Sequence, residues 1–370
     1  MQFFMLVNTQ QYRTIWPTET IATEPKTISI IDQTKLPHAF EIRQIGSLAQ
    51  MITAIKTMQV RGAPLIGAAA AYGIALAMLE DDSDASLHLA VNALKSSRPT
   101  AVNLQWAVSR MLACLQSRPN EARHLTAWHE AANIAEEDVA QNKAIAQHGL
   151  VLIEKLYQNR KNQNRPLNIL THCNAGWLAT VDFGTALAPI YAAHNAGLDV
   201  HVWVDETRPR NQGAALTAWE LGSHGVPHTV ITDNAGGHLM QQGLVDMVIV
   251  GADRVTSTGD VCNKIGTYLK ALAAFDNHVP FYAAVPSPTI DWTIKDGLIE
   301  IEIEQRHGDE VAYLQGLALD GSVQNVRLIP IESAVANPAF DVTPARLVTG
   351  IITEQGVFAP HALKRLEIIA

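Results

Sequence analysis

The pattern of apolar residues divides the chain into two parts with different secondary structure. In the first part, short β-rich runs at 27–31 and 39–45 precede apolar residues at helical spacing from Leu48 to Met58. A second helix is predicted at 65–79, because Pro64 suits the first turn of a helix and small apolar residues follow it. Further helices are predicted to about Leu156, so this part is a small unit of strands and helices.

Beyond a polar stretch at 159–166, the pattern changes to alternating strands and helices. The β-rich runs of this second part lie at 167–172, 199–204, 228–232, 245–250 and 280–285. A loop and a helical segment follow each of the first four runs, which is typical of a parallel, doubly wound α/β sheet. We therefore predict an α/β protein with an N-terminal strand and helical domain at 1–158, a linker at 159–166 and a second domain at 167–370.

Composition and charge narrow the classes of function. Of the 370 residues, 48% are hydrophobic and 17% are charged, which predicts a globular chain and excludes a disordered one. The net charge is −9 and no basic block occurs, so we expect no nucleic-acid partner. The apolar residues 1–7 are too few for a secretory signal, and glycines interrupt the longest apolar stretch at 63–79. We expect a cytoplasmic protein that does not interact with membranes.

Metal and cofactor motifs are not found in the sequence. Three cysteines, Cys114, Cys173 and Cys262, form no CxxC pair, which speaks against a disulfide scaffold or a structural zinc site and suits a reducing cytoplasm. The segment 128–133 begins like a zinc-protease helix but has no second histidine. No GxGxxG motif follows a predicted strand, which argues against a nicotinamide or flavin dehydrogenase. The sequence therefore predicts neither a metal nor a cofactor.

Cys173 and Asp253 follow two of the predicted strands, at the edge where such sheets bind ligands. If a helix begins just after Cys173, its positive end lowers the pKa of the thiol; the alternative is a small buried apolar residue. Apolar walls would raise the pKa of Asp253 and let it hold a proton near neutrality. The alternative for Asp253 is a helix cap or an ion pair with Arg254.

Other polar residues near predicted helix starts are typical of a phosphate site. Asn263 and Lys264 combine an amide, an ammonium group and nearby backbone N–H groups, although a solvated lysine is the alternative. Arg61 and Arg98 each precede a predicted helix, and an arginine beside the positive end of a helix is unfavourable unless an anion binds there. These positions favour binding of a phosphorylated molecule.

The polar loop at 205–213 also precedes a predicted helix. Its charged residues Asp205, Glu206 and Arg208 fit ion pairing within the loop slightly better than ligand binding. Gln212 is the better ligand candidate, because a neutral amide can bind sugar hydroxyls. The histidines, His172 among them, have no metal-ligand spacing and are interpreted as ordinary polar or core residues.

Long segments around these residues resemble the methylthioribose-1-phosphate isomerases. They include VRGAPLIGAAAAYG at 60–73, THCNAGWLAT at 171–180, VDETRPRNQGAALTAWEL at 204–221 and IVGADRVTSTGDVCNKIGTY at 249–268. The resemblance extends from about Tyr12 to near the C-terminus. It implies a small N-terminal strand-plus-helix domain followed by a Rossmann-like domain with a mainly parallel sheet, usually as a homodimer. The implied reaction is the aldose–ketose isomerisation of 5-methylthioribose 1-phosphate to 5-methylthioribulose 1-phosphate in methionine salvage.

The resemblance also assigns residues. It implies a catalytic pair at Cys173 and Asp253. The substrate-binding positions that it implies are Arg61, Gly62, Ala63, Arg98, Gln212, Asn263 and Lys264. The chain departs from the family pattern at Ala215, where a long or basic residue is usual, and at 233–238, and both departures concern side loops.

Two related functions remain as alternatives. The regulatory subunits of the eukaryotic translation initiation factor two B share the fold but are binding and scaffold proteins. The intact Cys173, Asp253 and Arg61 favour an enzyme over such a subunit. Ribose-1,5-bisphosphate isomerase is the nearer alternative, since its substrate differs chiefly in carrying a second phosphate in place of the methylthio group. The sequence leaves that alternative open.

Overall fold

The computed structural model describes residues 6–7, 10–18, 27–159 and 164–367, and its first elements are short antiparallel strands. These strands are β1 Leu6–Val7, β2 Gln10–Gln11, β3 Ile15–Pro17, β4 Ile28–Ile31 and β5 Ile42–Ile45. Buried β4 lies between β3 and β5 in a three-stranded sheet. The strand predicted at 27–31 is confirmed, whereas the next begins at Ile42 rather than at 39 because the chain still turns through 33–38.

Five helices follow and form the rest of the first part. They are α1 Leu48–Lys56, α2 Ala63–Glu80, α3 Asp84–Ser97, α4 Val102–Leu115 and α5 Asn120–Asn159. The helices predicted at 48–58 and 65–79 are confirmed as α1 and α2. Small residues let α2 pack closely against α4 and α5. By length and composition, α2 is the one described helix that could cross a membrane, but 83% of it is buried inside the protein, as in a core helix.

The second part is organised by a seven-stranded sheet. Its strands are β6 Leu167–Thr171, β7 Val200–Asp205, β8 His228–Ile231, β9 Met247–Val250, β12 Phe281–Ala284, β17 Gly350–Thr353 and β18 Gly356–Phe358. Neighbouring strands run parallel except at β17 and β18. All five predicted strands of this part are present, and the mainly parallel sheet is confirmed.

Helices and smaller sheets complete this part. The helices are α6 Ala188–Asn195, α7 Ala218–His224, α8 Ala235–Gln241, α9 Thr267–Asp276, α10 Gly297–Glu300, α11 Asp309–Ala312 and α12 Lys364–Glu367. The remaining strands are β10 Arg254–Thr256, β11 Val261–Lys264, β13 Ile290–Asp291, β14 Tyr313–Leu317, β15 Val323–Arg327 and β16 Phe340–Thr343. The order β13-β10-β11-β16 makes a four-stranded sheet, and β14 pairs with β15.

One prediction about the second part is wrong. A loop and a helical segment follow β6, β7 and β8 as expected, but the hairpin of β10 and β11 comes directly after β9. The hairpin belongs to the four-stranded sheet. Its strands are too short to give a clear pattern in the sequence, so the sequence analysis did not predict them. As a result, α9 begins only after β11.

The strand order of the large sheet indicates which of its edges binds a ligand. The sheet has the order β18-β17-β12-β9-β6-β7-β8, so the chain moves outward in opposite directions from β6 and from β9. The carboxyl ends of these two neighbours form the switch point at which open α/β sheets bind ligands. Helix α5 ends at Asn159 and β6 begins at Leu167, and part of the predicted linker lies outside the described residues, so the domain boundary stays a prediction.

Candidate active site

Cys173 lies just beyond β6, in a tight turn of the backbone. Its φ is +68°, a left-handed conformation that is uncommon for a residue with a side chain. Two hydroxyl groups hold the turn: the Cys173 N–H donates to Thr207 Oγ1 (2.8 Å), and Thr217 Oγ1 donates to the Cys173 carbonyl (2.7 Å). The chain that follows β7 thus fixes the position of a buried thiol.

The prediction that a helix end lowers the pKa of Cys173 is wrong. The chain after it forms a 3₁₀ turn at Trp177–Ala179, and α6 begins only at Ala188. Burial raises the pKa of the thiol, while the positive charges of Arg61 and Lys264 act in the opposite direction. A proton on or near this sulfur is therefore controlled by desolvation and by two nearby cations.

Asp253 lies beyond β9, where its backbone N–H donates to the Cys262 carbonyl (2.9 Å). Neither alternative for this residue is correct, because a strand rather than a helix follows it and Arg254 pairs instead with Asp291 (3.5 Å). Burial raises the pKa of the Asp253 carboxyl, as predicted, and the charges of Lys264 and Arg98 oppose this rise.

The start of helix α2 supplies the next group. Gly62 has a φ of +102°, and a Cβ atom on it would lie 2.4 Å from the Ala179 carbonyl oxygen, so a side chain does not fit there. Arg61 donates to the Asn174 Oδ1 and also to the Asn174 carbonyl oxygen (2.7 Å). Both acceptors are neutral, so no carboxylate among the described residues cancels the charge of Arg61 through a hydrogen bond.

Asn263 and Lys264 are the last residues of β11, and both side chains are buried. Lys264 is 7% exposed, so the alternative of a solvated lysine is wrong. Its Nζ donates to the Ala339 carbonyl (2.9 Å) and lies 4.5 Å from the centre of the Phe340 ring. Burial lowers the pKa of Lys264, whereas negative charge on Cys173 or Asp253 raises it.

The backbone at the start of α9 differs from the prediction. The N–H groups of Gly266 and Tyr268 donate to the carboxylate of Asp341, at 2.7 and 3.1 Å. This carboxylate caps the helix and uses N–H groups that we expected to bind phosphate. The side chains of β11, rather than the helix end, are left to bind an anion.

Gln212 and Arg98 each carry a buried polar atom that has no hydrogen-bond partner among the described residues. These atoms are Gln212 Oε1 and Arg98 Nε. An unpaired buried polar atom costs free energy, and a bound ligand can remove that cost. The anion expected beside Arg98 is supplied in part by the protein, since Arg98 Nη2 lies 3.4 Å from Glu304 Oε2.

A single pocket at the switch point of β6 and β9 is lined by all nine residues predicted for the site. These are Arg61, Gly62, Ala63, Arg98, Cys173, Gln212, Asp253, Asn263 and Lys264. The pocket also contains Asn174 and Arg306, which the sequence analysis missed. Asn174 could have been found as a polar neighbour of Cys173; Arg306 lies in a loop far along the chain, and nothing in its sequence context points to it.

His172 also lines the pocket, and it is more than the ordinary core residue that we predicted. One ring nitrogen lies 2.8 Å from Asp205 Oδ2 and the other 2.8 Å from the Ile265 carbonyl, so His172 joins the chain after β6 to the chain after β11. His172, Asp205 and Asp233 are close enough together to hold a metal ion. However, the Lys270 ammonium group lies 3.1 Å from Asp205 Oδ2 and supplies a positive charge at that place.

Asp205, at the start of the charged loop after β7, has a structural role as the sequence favoured, but its ion pairs are with residues outside the loop rather than within it. Asp205 pairs with His172 and Lys270, and the carboxylate of Asp233 accepts the N–H groups of Thr207 and Arg208 at 2.7 Å each. The loop is thereby held so that Gln212 lies in the pocket.

This chain is similar to known proteins over most of its length. A model of the Initiation factor 2 subunit family matches residues 59–360. The methylthioribose-1-phosphate isomerase of Rhodospirillum rubrum is 62% identical over 353 residues, which cover 95% of this chain and 90% of that protein.

Two solved structures are also similar to this chain. A 5-methylthioribose 1-phosphate isomerase from Pyrococcus horikoshii is 38% identical, with a TM-score of 0.80, and the match covers 98% of this chain and 97% of the other. The translation initiation factor eIF-2B, subunit delta, from A. fulgidus is 39% identical with a TM-score of 0.76, and the match covers 95% and 96%. The chain therefore belongs to the Initiation factor 2 subunit family and, within it, to the methylthioribose-1-phosphate isomerases.

Proposed function

We propose that this protein converts 5-methylthioribose 1-phosphate to 5-methylthioribulose 1-phosphate, an aldose–ketose isomerisation in methionine salvage. The observation that carries the proposal is the pocket, in which a thiol, a carboxyl group with a raised pKa and several cations meet at the switch point of the sheet. The high identity to a methylthioribose-1-phosphate isomerase over nearly the whole chain supports the same reaction.

The phosphate is assigned to Arg61 and Lys264. Neutral oxygens hold both side chains, those of Asn174 and of the Ala339 carbonyl, so their positive charge remains for an anion. Arg98 and Arg306, by contrast, both pair with Glu304. The unpaired Oε1 of Gln212 accepts a hydrogen bond from a sugar hydroxyl.

The substrate determines what the catalytic pair must do. Its first carbon carries both the ring oxygen and the phosphate, so the ring cannot open to a free aldehyde. An acid must protonate the ring oxygen as its bond to the first carbon breaks, and a base must take the proton of the second carbon's hydroxyl. The hydrogen of the second carbon then moves with its electron pair to the first carbon, and a ketone forms at the second.

Asp253 is the acid in this scheme and Cys173 the base. Burial raises the pKa of Asp253, which keeps a proton available. Burial raises the pKa of Cys173 as well, so its role as base requires the thiolate form, which the charges of Arg61 and Lys264 favour. Exclusion of water when the substrate fills the pocket protects the cationic first carbon. Asp253 gives one proton to the ring oxygen, and Cys173 takes one proton from the hydroxyl of the second carbon. The step therefore balances without a cofactor.

We also propose that the protein works as a cytoplasmic homodimer of two-domain chains divided at 159–166. The resemblance to the family supports the dimer, and the free thiols of Cys114, Cys173 and Cys262 suit a reducing compartment. Light scattering on the purified protein tests the dimer, because two chains of 40.2 kDa scatter as one particle of twice that mass. A particle with the mass of one chain contradicts it.

Assays with two purified sugar phosphates test the function. We expect turnover of 5-methylthioribose 1-phosphate with a much higher kcat/KM than of ribose 1,5-bisphosphate. The reverse order would identify a ribose-1,5-bisphosphate isomerase. Binding without turnover of either compound would instead indicate a binding subunit of the translation-factor type.

A further inference from the structure

Glu220 is a buried carboxylate that the proposed chemistry does not use. It lies in α7, is completely buried, and accepts four hydrogen bonds. The donors are Asn174 Nδ2 (3.0 Å), the Trp177 N–H (2.9 Å), the Leu178 N–H (2.9 Å) and the Tyr191 hydroxyl (3.0 Å). Burial of a carboxylate costs free energy unless such hydrogen bonds compensate it. A carboxyl group buried this completely therefore indicates a specific structural or functional role.

Three of the four donors on Glu220 belong to the chain just after Cys173, and the fourth, Tyr191, lies in α6. The Trp177 and Leu178 N–H groups begin a 3₁₀ turn and would otherwise lack partners. Gly176 makes room for the carboxylate, since a Cβ atom there would lie 1.8 Å from Glu220 Oε2. The segment between β6 and α6 is therefore folded around this one side chain.

Asn174 links Glu220 to the pocket. The Arg61 guanidinium can only donate hydrogen bonds and an ionised carboxylate can only accept them. The amide of Asn174 lies between the two, so it has one orientation, with its oxygen toward Arg61 and its NH₂ group toward Glu220. Burial raises the pKa of Glu220 to about 7, and its hydrogen bond from Asn174 opposes that rise. As the acceptor of four hydrogen bonds, Glu220 thus fixes the orientation of the neutral amide that holds Arg61.

A carboxylate in direct contact with Arg61 would hold it equally well but would neutralise its charge. The Asn174 amide avoids this, because the carboxylate is one side chain further away. We propose that Glu220 is a positioning residue of this site, which acts through Asn174 to orient Arg61 for the phosphate. This inference rests on the phosphate role proposed above for Arg61.

The test measures binding of inorganic phosphate by calorimetry and the kinetics of isomerisation in Glu220→Gln. Glutamine has the same shape but must point its NH₂ group at some of the four donors, so the hydrogen bonds that hold the Asn174 amide beside Arg61 are weakened. We expect the Kd of phosphate and the KM to rise about tenfold, with kcat changed much less. In an Arg61→Ala background, the same substitution should have almost no further effect on phosphate binding.

Asp138→Asn is a matched control. Asp138 is also a buried carboxyl group, and it accepts the Val181 N–H (2.7 Å) further along the same loop. It makes no hydrogen bond to Asn174 or Arg61 among the described residues. We expect Asp138→Asn to leave the Kd of phosphate unchanged.

Asn174→Leu tests the link should Glu220→Gln fail to fold. It removes the amide, and it should weaken phosphate binding as Glu220→Gln does, again with no further effect when Arg61 is alanine. Unchanged phosphate binding in Asn174→Leu, or an equal loss from Glu220→Gln with and without Arg61, would overturn the inference.

The two proposals fail in different ways. If the wild-type protein binds phosphate but isomerises neither sugar phosphate, the proposed function is wrong while the positioning role is still measured by phosphate binding. If Arg61→Ala leaves phosphate binding unchanged, Glu220 has no phosphate ligand to orient and the inference is wrong, whatever the activity.

Discussion

Cys173 and Asp253 follow adjacent parallel strands, β6 and β9, from which the chain moves outward to opposite edges of the sheet. The two loops that carry them are in close contact, since a Cβ atom on Gly251 would lie 2.6 Å from the Cβ of Ala175. The fold thus brings together, in one pocket, a thiol and a carboxyl group that lie 80 positions apart in the chain. A reaction that needs a separate acid and base can use such a pair.

Replacement of Cys173 by serine should lower kcat by about 10²–10⁴-fold, the usual effect of losing a positioned proton-transfer group. The hydroxyl keeps the shape of the thiol but releases its proton far less readily, so KM should change little. Steady-state kinetics of Cys173→Ser measure both effects. Cys114→Ser, in α4, is the control and should retain activity. A variant at Cys173 with more than about half the wild-type kcat contradicts a chemical role for the thiol.

Lys264→Ala should weaken phosphate binding. A charge-assisted hydrogen bond contributes roughly 1.5–3 kcal/mol, so we expect KM and the inhibition constant of inorganic phosphate to rise by about 10- to 150-fold. Competitive inhibition by phosphate in the isomerase assay measures this change. The exposed Lys56, at the end of α1, is a matched control, and Lys56→Ala should have no effect. Equal inhibition constants in the two variants would remove Lys264 from the phosphate site.

Gly62, at the start of α2, and Gly197 both have a positive φ, and they differ in the space available for a side chain. Gly62 has a φ of +102° and Gly197 a φ of +80°. An added Cβ atom clashes with Ala179 at Gly62 but has no atom within 4 Å at Gly197. Gly197→Ala should therefore cost about 1 kcal/mol of stability from the backbone alone. Gly62→Ala should cost more and also raise KM, which urea unfolding and kinetics would measure; equal losses of stability in the two variants would contradict this.

The sequence predicted the site well where a reactive side chain comes soon after a predicted strand. Cys173 and Asp253 stand just after strand ends, Gln212 follows β7 after a longer loop, and a parallel sheet brings such ends to one edge. The position of a residue in the chain does not reveal a local turn, and so the pKa of Cys173 was predicted in the wrong direction. The helix that should have lowered it begins only at Ala188.

The parts of the site that the sequence missed depend on contacts between distant segments. Glu220 reaches the pocket through Asn174, across 46 positions of the chain. Arg306 and Asp341 lie in the segment between β12 and β17, where short strands give a weak pattern. One signal was present, since Glu220 is an acidic residue in a predicted helix with the apolar Leu216 four positions before it, on the same face. A charge in such a position often marks a buried hydrogen-bonded group.

Asp138 should make stability depend on pH. Burial raises its pKa to about 7, and the nearby Asp182 contributes to the rise. In the unfolded chain an aspartate titrates near 4, so between about pH 4 and pH 7 the folded protein binds a proton that the unfolded chain releases. This contribution to stability is complete below about pH 4 and is lost as the pH rises through about 7.

Asp138→Asn removes that titration. We expect the unfolding free energy of the wild-type protein, relative to this variant, to fall between pH 5 and pH 7.5, which urea unfolding at the two values measures. Asp276→Asn, at an exposed position at the end of α9, serves as the control and should follow the wild type. A constant difference between wild type and Asp138→Asn at both pH values would show that Asp138 does not titrate in this range.

The path of the substrate hydrogen distinguishes two mechanisms for the catalytic pair. If a base removes the hydrogen of the second carbon while the ring oxygen leaves, an enol phosphate forms and a proton later returns to the first carbon. If Asp253 protonates the ring oxygen first, the first carbon becomes cationic and the hydrogen migrates to it as hydride. Without a carbonyl beside it, the second carbon's hydrogen is barely acidic, and this favours hydride migration.

Turnover in heavy water, followed by NMR of the product's first carbon, tests this mechanism. We expect the original hydrogen to remain at that carbon, because a migrating hydride does not exchange with solvent. Asp253→Asn should abolish turnover, since its amide cannot protonate the ring oxygen, yet the variant should still bind phosphate through Arg61 and Lys264. Substantial deuterium at the first carbon in a single conversion would instead establish the enol path, in which Cys173 or Asp253 removes the hydrogen of the second carbon and solvent exchanges with that base.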